Sequence, residues 1–150
     1  MAGDPEAIDH LDRRILAVLA GEGRISWKDL GDRVHLSATS TAERVRRMER
    51  DGVITGYRVQ VEPGALGRTV RALIDVVLPG GVDPAAFEAK LREREEIVFA
   101  AFVTGAADYE LLVECTGADG LDEVIRWLKV SAGAARTESK VVLRSIVGLA

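Results

Sequence analysis

The chain has 150 residues, a formal net charge of −4 and 47% hydrophobic residues, which is room for one ordinary domain or two small ones. That much apolar content at low net charge excludes a disordered chain, and no apolar run approaches the roughly 18 residues of a membrane span. A single cysteine, Cys115, excludes an intramolecular disulfide and a multi-cysteine zinc site. Residues 1–10 are acidic and carry no apolar signal region, so a cytoplasmic protein with no membrane partner and no cofactor is expected.

Ile8, Leu11, Ile15, Val18 and Leu19 recur at helical spacing and predict a first helix over residues 6–19, stopped by Gly21 and Gly23. Ser26 is placed to cap a second helix, with Asp29 three residues on and Leu30 and Val34 as its apolar pair. Residues 35–37 form a short turn. Ser37 then caps a third helix over residues 38–51, ended by Gly52. Residues 53–61 read as a strand or small wing. Pro63, Gly64 and Gly67 mark a linker, so the domains are expected at 1–62 and 69–150, joined by 63–68.

The second half reads as strand 69–78, helix 83–94, strand 97–103, strand 109–115, helix 119–130 and strand 137–147. That order is βαββαβ, the ferredoxin-like split pattern, and the whole chain is of the α+β class. Ala86, Phe87 and Leu91 share one side of the first of these helices; Leu121, Val124, Ile125 and Leu128 form the stripe of the second, with Trp127 beside it. Val70, Ala72, Ile74, Val76 and Leu78 make one apolar strand face. Leu73 and Val77 add apolar area to the other, where Arg71 and Asp75 are the exceptions, and residues 97–103 are apolar on both. Helices cover only one face of such a sheet, so the second is expected to pack on an identical sheet from another subunit. The alternative is cover by the N-terminal helices.

Three helices with a tight turn before the third make a helix-turn-helix. On a helical wheel Ala38, Ala42, Val45, Met48 and the stem of Glu49 cluster on one face of the third helix. Ser40, Glu43, Arg44 and Arg47 fall on or near the opposite face, with Arg46 and Arg50 flanking it. Ser37, Thr39, Ser40 and Thr41 supply short hydroxyls at the helix N-terminus, where phosphate is favoured. Guanidinium groups further along reach base edges or phosphates of double-stranded DNA. Residues 24–58 hold 8 basic and 5 acidic residues, a local net charge of +3 in a chain of −4. The DNA-contacting set expected from these features is Ser37, Thr39, Ser40, Thr41, Arg44, Arg46, Arg47 and Arg50. The competing reading is a solvated helix face held by its own ion pairs.

Other candidates are weaker. His10 and His35 lie far apart with no ligand at metal spacing, and Cys115 reads as a small buried apolar group. Trp27 and Tyr57 read as packing residues. No Gly-Lys-Ser/Thr loop, GxSxG or HExxH occurs.

Several stretches taken together resemble the Lrp/AsnC (feast/famine) family of transcription regulators. They are Leu11-Asp12-Arg13-Arg14-Ile15-Leu16, Gly23-Arg24-Ile25-Ser26, Leu30-Gly31-Asp32-Arg33-Val34-His35-Leu36-Ser37 and Glu43-Arg44-Val45-Arg46-Arg47-Met48-Glu49. Gly52-Val53-Ile54-Thr55-Gly56-Tyr57 and Thr104-Gly105-Ala106-Ala107-Asp108-Tyr109 complete the set, in order along nearly the whole chain. The resemblance implies a winged helix-turn-helix that binds DNA and a C-terminal ferredoxin-like sandwich domain that forms dimers, commonly tetramers or octamers. It also implies a small effector, usually an amino acid, at subunit interfaces. By position the effector residues are Thr104, Gly105, Ala106, Asp108 and Tyr109, with Arg136, Thr137 and Ser139 on a second strand. Where the family loop is often Gly-Asp-x-Asp, this chain has Gly-Ala-Ala-Asp.

Residue chemistry bears on that site independently. Gly105 permits a tight turn that exposes N–H groups to a carboxylate, Asp108 can pair an ammonium, and Thr137 or Ser139 add hydroxyls. The plainer alternative is a hairpin in which Asp108 bonds its own turn. The function expected is an effector-responsive, sequence-specific DNA-binding regulator and not an enzyme. The alternatives are a haem-precursor decarboxylase on the same scaffold, disfavoured by the lack of histidine after His35, and an architectural DNA-compacting protein.

Overall fold

A computed structural model describes residues 8–146, which fall into two compact units, one reaching to Gln60 and one beginning at Val61. The first holds three helices, α1 (His10–Gly21), α2 (Trp27–Val34) and α3 (Ala38–Arg50). The expected start of the first helix at Glu6 lies outside the described residues. Each helix begins where a short polar side chain takes a free backbone N–H: Asp9 accepts from Asp12, Ser26 from Asp29 and Ser37 from Ser40. The first is a full capping box, because Asp12 accepts in return from the Asp9 N–H.

One face of each helix is apolar, and the three meet over Ile15, Leu30, Val34, Val45 and Met48, with Leu16, Leu19, Ile25 and Leu36 around them. The turn between α2 and α3 is compressed. His35 caps α2 in the left-handed region, at φ 61°. Gly31 stands where any side chain would collide: a β-carbon there would lie 2.7 Å from the Leu36 carbonyl oxygen and 3.3 Å from the Thr41 hydroxyl. The helix-turn-helix angle therefore depends on a glycine inside α2.

Two expectations for this unit need correction. Residues 53–61 form no strand: the Val53 and Ile54 N–H groups close α3 on the Met48 carbonyl, and the chain then runs on with no described segment paired to it. Ala38, expected on the buried face of α3, is exposed, and so is Glu49. Buried Thr41 takes the place in the core that the wheel gave to Ala38.

The second unit is a four-stranded antiparallel sheet in the order β2-β3-β1-β4, with two helices. Its elements are β1 (Val70–Val77), α4 (Pro84–Leu91), β2 (Ile97–Phe102), β3 (Tyr109–Cys115), α5 (Ala118–Trp127) and β4 (Arg136–Val141). A 3-10 turn at Pro63–Leu66 precedes β1, and a π-turn at Leu128–Ala132 ends α5. The sheet lays Ala72, Ile74, Val76, Leu111 and Val113 against Phe87 and Leu91 of α4 and Leu121 and Val124 of α5. Cys115 and Tyr109 are buried in the same core.

Three departures stand out here. Ala86 is exposed, leaving Phe87 and Leu91 as the buried pair of α4. The expected last strand, 137–147, ends its ladder at Val141, and Val147 lies outside the described residues. The sheet face away from the helices is mixed and not chiefly apolar. Leu73, Val77 and Leu112 share it with two ion pairs, Arg71–Glu114 at 3.1 Å and Lys140–Asp75 at 2.9 Å. Strand β2, an edge with a bulge between Ile97 and Phe99, leaves Val98, Phe99 and Phe102 exposed.

Candidate nucleic-acid interface and effector region

The third helix presents three kinds of side chain. Thr41, Ala42, Val45 and Met48 face inward. Thr41 has no exposed surface and its hydroxyl donates to the Ser37 carbonyl at 2.9 Å, so this expected DNA contact is a core residue instead. Its hydroxyl replaces what would otherwise be an apolar contact, which is why a wheel of hydrophobicity passes it over.

Arg44 and Arg47 lean toward α1. Arg44 Nη1 lies 2.6 Å from an Asp9 carboxylate oxygen and 2.9 Å from Asp12, and Arg47 donates to the other oxygen of Asp12. Asp12 has no exposed surface, while both arginine side chains keep 27% of theirs. Both oxygens of one buried carboxylate are thus engaged by charged donors, the arrangement a buried charge requires. The Asp12 N–H and then Arg44 hold the Asp9 carboxyl down to about 2, and the two carboxylates raise Arg44 above its usual value. These arginines were expected to face outward; they are half-buried ties between α1 and α3.

The outward face is Thr39, Glu43, Arg46 and Arg50. Among the described residues neither Arg46 nor Arg50 has an ion-pair partner. Ser37 is exposed and Ser40 half-buried, and they bond each other at the helix start, Oγ to Oγ at 2.9 Å. Tyr57 Oη donates to Glu49 at 2.9 Å, tying the segment after α3 back to it. Asp12 and Gly31, which fix where α3 points, were missed as functional residues. Both lie in stretches quoted above, Leu11-Asp12 and Leu30-Gly31, but neither stretch shows the contact that each residue makes.

In the second unit the two expected effector segments come to one end of the sheet. Val76 of β1 is flanked by Tyr109 of β3 on one side and Thr137 of β4 on the other. Thr104, Gly105 and Ala106 are exposed at the tip of the β2–β3 hairpin, with Gly105 at φ 128°. Arg136 and Ser139 are exposed, and Thr137 is half-buried.

Asp108 is not free in the way an ammonium partner would be. Its carboxylate accepts from the Leu78 N–H at 2.7 Å, and its own N–H donates to Val76. Its carboxylate therefore stitches the hairpin to the end of β1 and does not bond within its own turn, where only its carbonyl accepts, from the Val103 N–H. Tyr109 is buried among Phe87 and Phe102 and donates to Glu88 at 3.1 Å; burial first, then Glu88, raises its phenol. A recess of about 380 Å³ opens beside it, lined by Glu88, Leu91, Arg92, Val98, Phe99 and Phe102 among others.

Known proteins match both units. The winged helix-turn-helix DNA-binding family covers residues 8–55, and the Lrp/AsnC ligand binding domain covers residues 71–148. The chain belongs to the Lrp/AsnC family of transcription regulators. It is 31% identical to the HTH-type transcriptional regulator LrpA of Mycobacterium tuberculosis over 140 residues, 93% of each chain. It is 32% identical to the regulatory protein AsnC of Escherichia coli strain K12 over 139 residues, 92% of this chain and 91% of that one. Among solved structures, the feast or famine regulatory protein of M. tuberculosis complexed with L-methionine superposes with a TM-score of 0.88 at 30% identity, covering 95% of this chain and 96% of that one. No helix among the described residues is long and apolar enough to cross a membrane.

Proposed function

We propose that this chain is a cytoplasmic, sequence-specific DNA-binding transcription regulator whose affinity or assembly responds to an amino acid, and that its role is binding and not catalysis. The observation that carries the reading is the exposed outer face of α3, whose Arg46 and Arg50 have no ion-pair partner among the described residues, on a helix-turn-helix joined to a family ligand-binding domain. Arg46 and Arg50 supply phosphate or base contacts. Ser37, Thr39 and Ser40 serve the helix start, and Arg44 and Arg47 orient the helix. The L-methionine complex of the M. tuberculosis relative supports an amino acid as the ligand class. Its site here is the end of the sheet where Thr104, Gly105 and Ala106 stand near Arg136, Thr137 and Ser139, with Asp108 and Tyr109 shaping the hairpin.

Self-association belongs to the same reading. The sheet face bearing Leu73, Val77 and Leu112 is paired with a second copy, giving a dimer and, from it, larger even-numbered assemblies. A dimer sets two α3 helices about 34 Å apart, one turn of DNA. An effector acts by favouring one of two assembly states. A mobility shift on the DNA upstream of the chain's own gene, repeated with each amino acid, tests this. A shifted band that an amino acid strengthens or weakens is expected; no shift at low salt overturns the reading.

A further inference from the structure

The outer face of α3 carries a carboxylate between its hydroxyl-bearing start and its two exposed arginines. At 3.6 residues per turn, positions i, i+4, i+7 and i+11 fall within an arc of about 60°, so Thr39, Glu43, Arg46 and Arg50 form one stripe about 16 Å long. All four are exposed, and the stripe lies opposite buried Thr41, Val45 and Met48. Glu43 sits in its middle. Arg46 and Arg47 stand three and four residues on, at the spacing that makes helix ion pairs. Yet among the described residues Glu43 has no ion-pair or hydrogen-bond partner: Arg47 turns to Asp12, and Arg46 is not bridged to it.

An acid on this stripe enters a field of phosphates and lowers affinity for DNA wherever no base donor compensates it. The one group of the major-groove edge that compensates a carboxylate is a donor, and the exocyclic amine of cytosine is the donor that Glu accepts from best. Resting on the regulator reading, we infer that Glu43 is a specificity-determining residue: it accepts from the N4 amine of one cytosine in each half-site, and its charge penalises sites lacking it. Attraction to one base and repulsion of the rest act in the same direction.

The test is selection from a pool of double-stranded DNA randomised over the site, run with the full chain as wild type, Glu43→Ala and Glu43→Gln. Wild type is expected to enrich cytosine at one position per half-site, by about 5- to 150-fold over other bases. In Glu43→Ala that preference falls to near one while preferences elsewhere stay, and binding to competitor DNA rises. In Glu43→Gln, whose amide suits adenine, the position moves toward adenine. Unchanged preference in Glu43→Ala at every position overturns the inference, and so does a uniform loss at all positions. A wild-type chain that enriches nothing overturns the regulator reading itself.

Discussion

Arg44 Nη1 stands 2.9 Å from a carboxylate oxygen of Asp12, 32 residues earlier in the chain, and Asp12 has no surface exposed to water. The same carboxylate accepts from the Asp9 backbone and from Arg47. One buried acid thus caps α1 and fixes the azimuth of α3.

Removing that acid should therefore be costly. Asp12→Ala leaves two half-buried guanidinium groups without their shared partner and undoes the capping box, for a loss of roughly 2–4 kcal/mol. Urea unfolding followed by Trp27 fluorescence in a Trp127→Phe background reports on the first unit alone. Asp12→Ala should also couple to Arg44→Ala, so that the double variant loses less than the two singles added.

The two glycines Gly21 and Gly31 should respond oppositely to alanine. At Gly31 the new methyl meets the Leu36 carbonyl oxygen at 2.7 Å, backbone that yields only by opening the turn, so a loss of about 2 kcal/mol is expected. At Gly21, the last residue of α1, nothing lies within 4 Å, and alanine should stabilise by roughly 0.5–1 kcal/mol. Thermal unfolding of both variants checks the sign.

Acid should loosen the first unit over a defined window. Asp9 is held at about 2 against an ordinary 3.8, chiefly by the Asp12 N–H and next by Arg44. A carboxyl with a depressed folded value contributes fully above the unfolded value and loses that contribution as pH falls through the folded one. Stability should thus decline between about pH 4 and pH 2, and Asp9→Asn should flatten the decline, as measured by urea midpoints across that range.

On α3, exposed and tied arginines should separate by salt dependence. Arg46→Ala or Arg50→Ala should weaken binding to double-stranded DNA and lower the slope of log affinity against log salt by about 1 each. Arg44→Ala should chiefly lower stability and change the slope less. Titrations at three salt concentrations distinguish the two behaviours.

Asp108→Ala should destabilise the second unit with no effector present. It strips the Leu78 N–H of its 2.7 Å acceptor, a change of about 1–2 kcal/mol. Asp108→Asn, which keeps an acceptor oxygen, should recover part of that. Trp127 fluorescence during urea unfolding, in a Trp27→Phe background, measures it.

Local chemistry made most of the fold readable before any coordinates. Capping serines at 26 and 37 and period-two strands such as Val70–Val77 each act over a few residues, and the elements they mark stand within a few positions of where the pattern puts them, whereas 53–61 forms no strand and β4 ends six residues early. What stayed hidden is long-range. The wheel of α3 gives a phase for its apolar residues, but the claim of Asp9 and Asp12 on Arg44 and Arg47 comes from more than thirty residues away. Thr41 is hidden for the opposite reason, since a hydroxyl satisfied by its own helix behaves as an apolar group. Residues 53–61 alternate as a strand would, but a strand exists only if a neighbour supplies the ladder. Asp108 shows the same limit, because its partner Leu78 lies just past the end of β1, 30 residues earlier.

The compressed turn at Gly31 and His35, with the acid-arginine ties behind α3, separates anchorage from reading. Four outward positions can be exchanged without disturbing the skeleton that aims them. On the proposed reading, a single substitution among them changes the operator recognised and leaves the scaffold as it is.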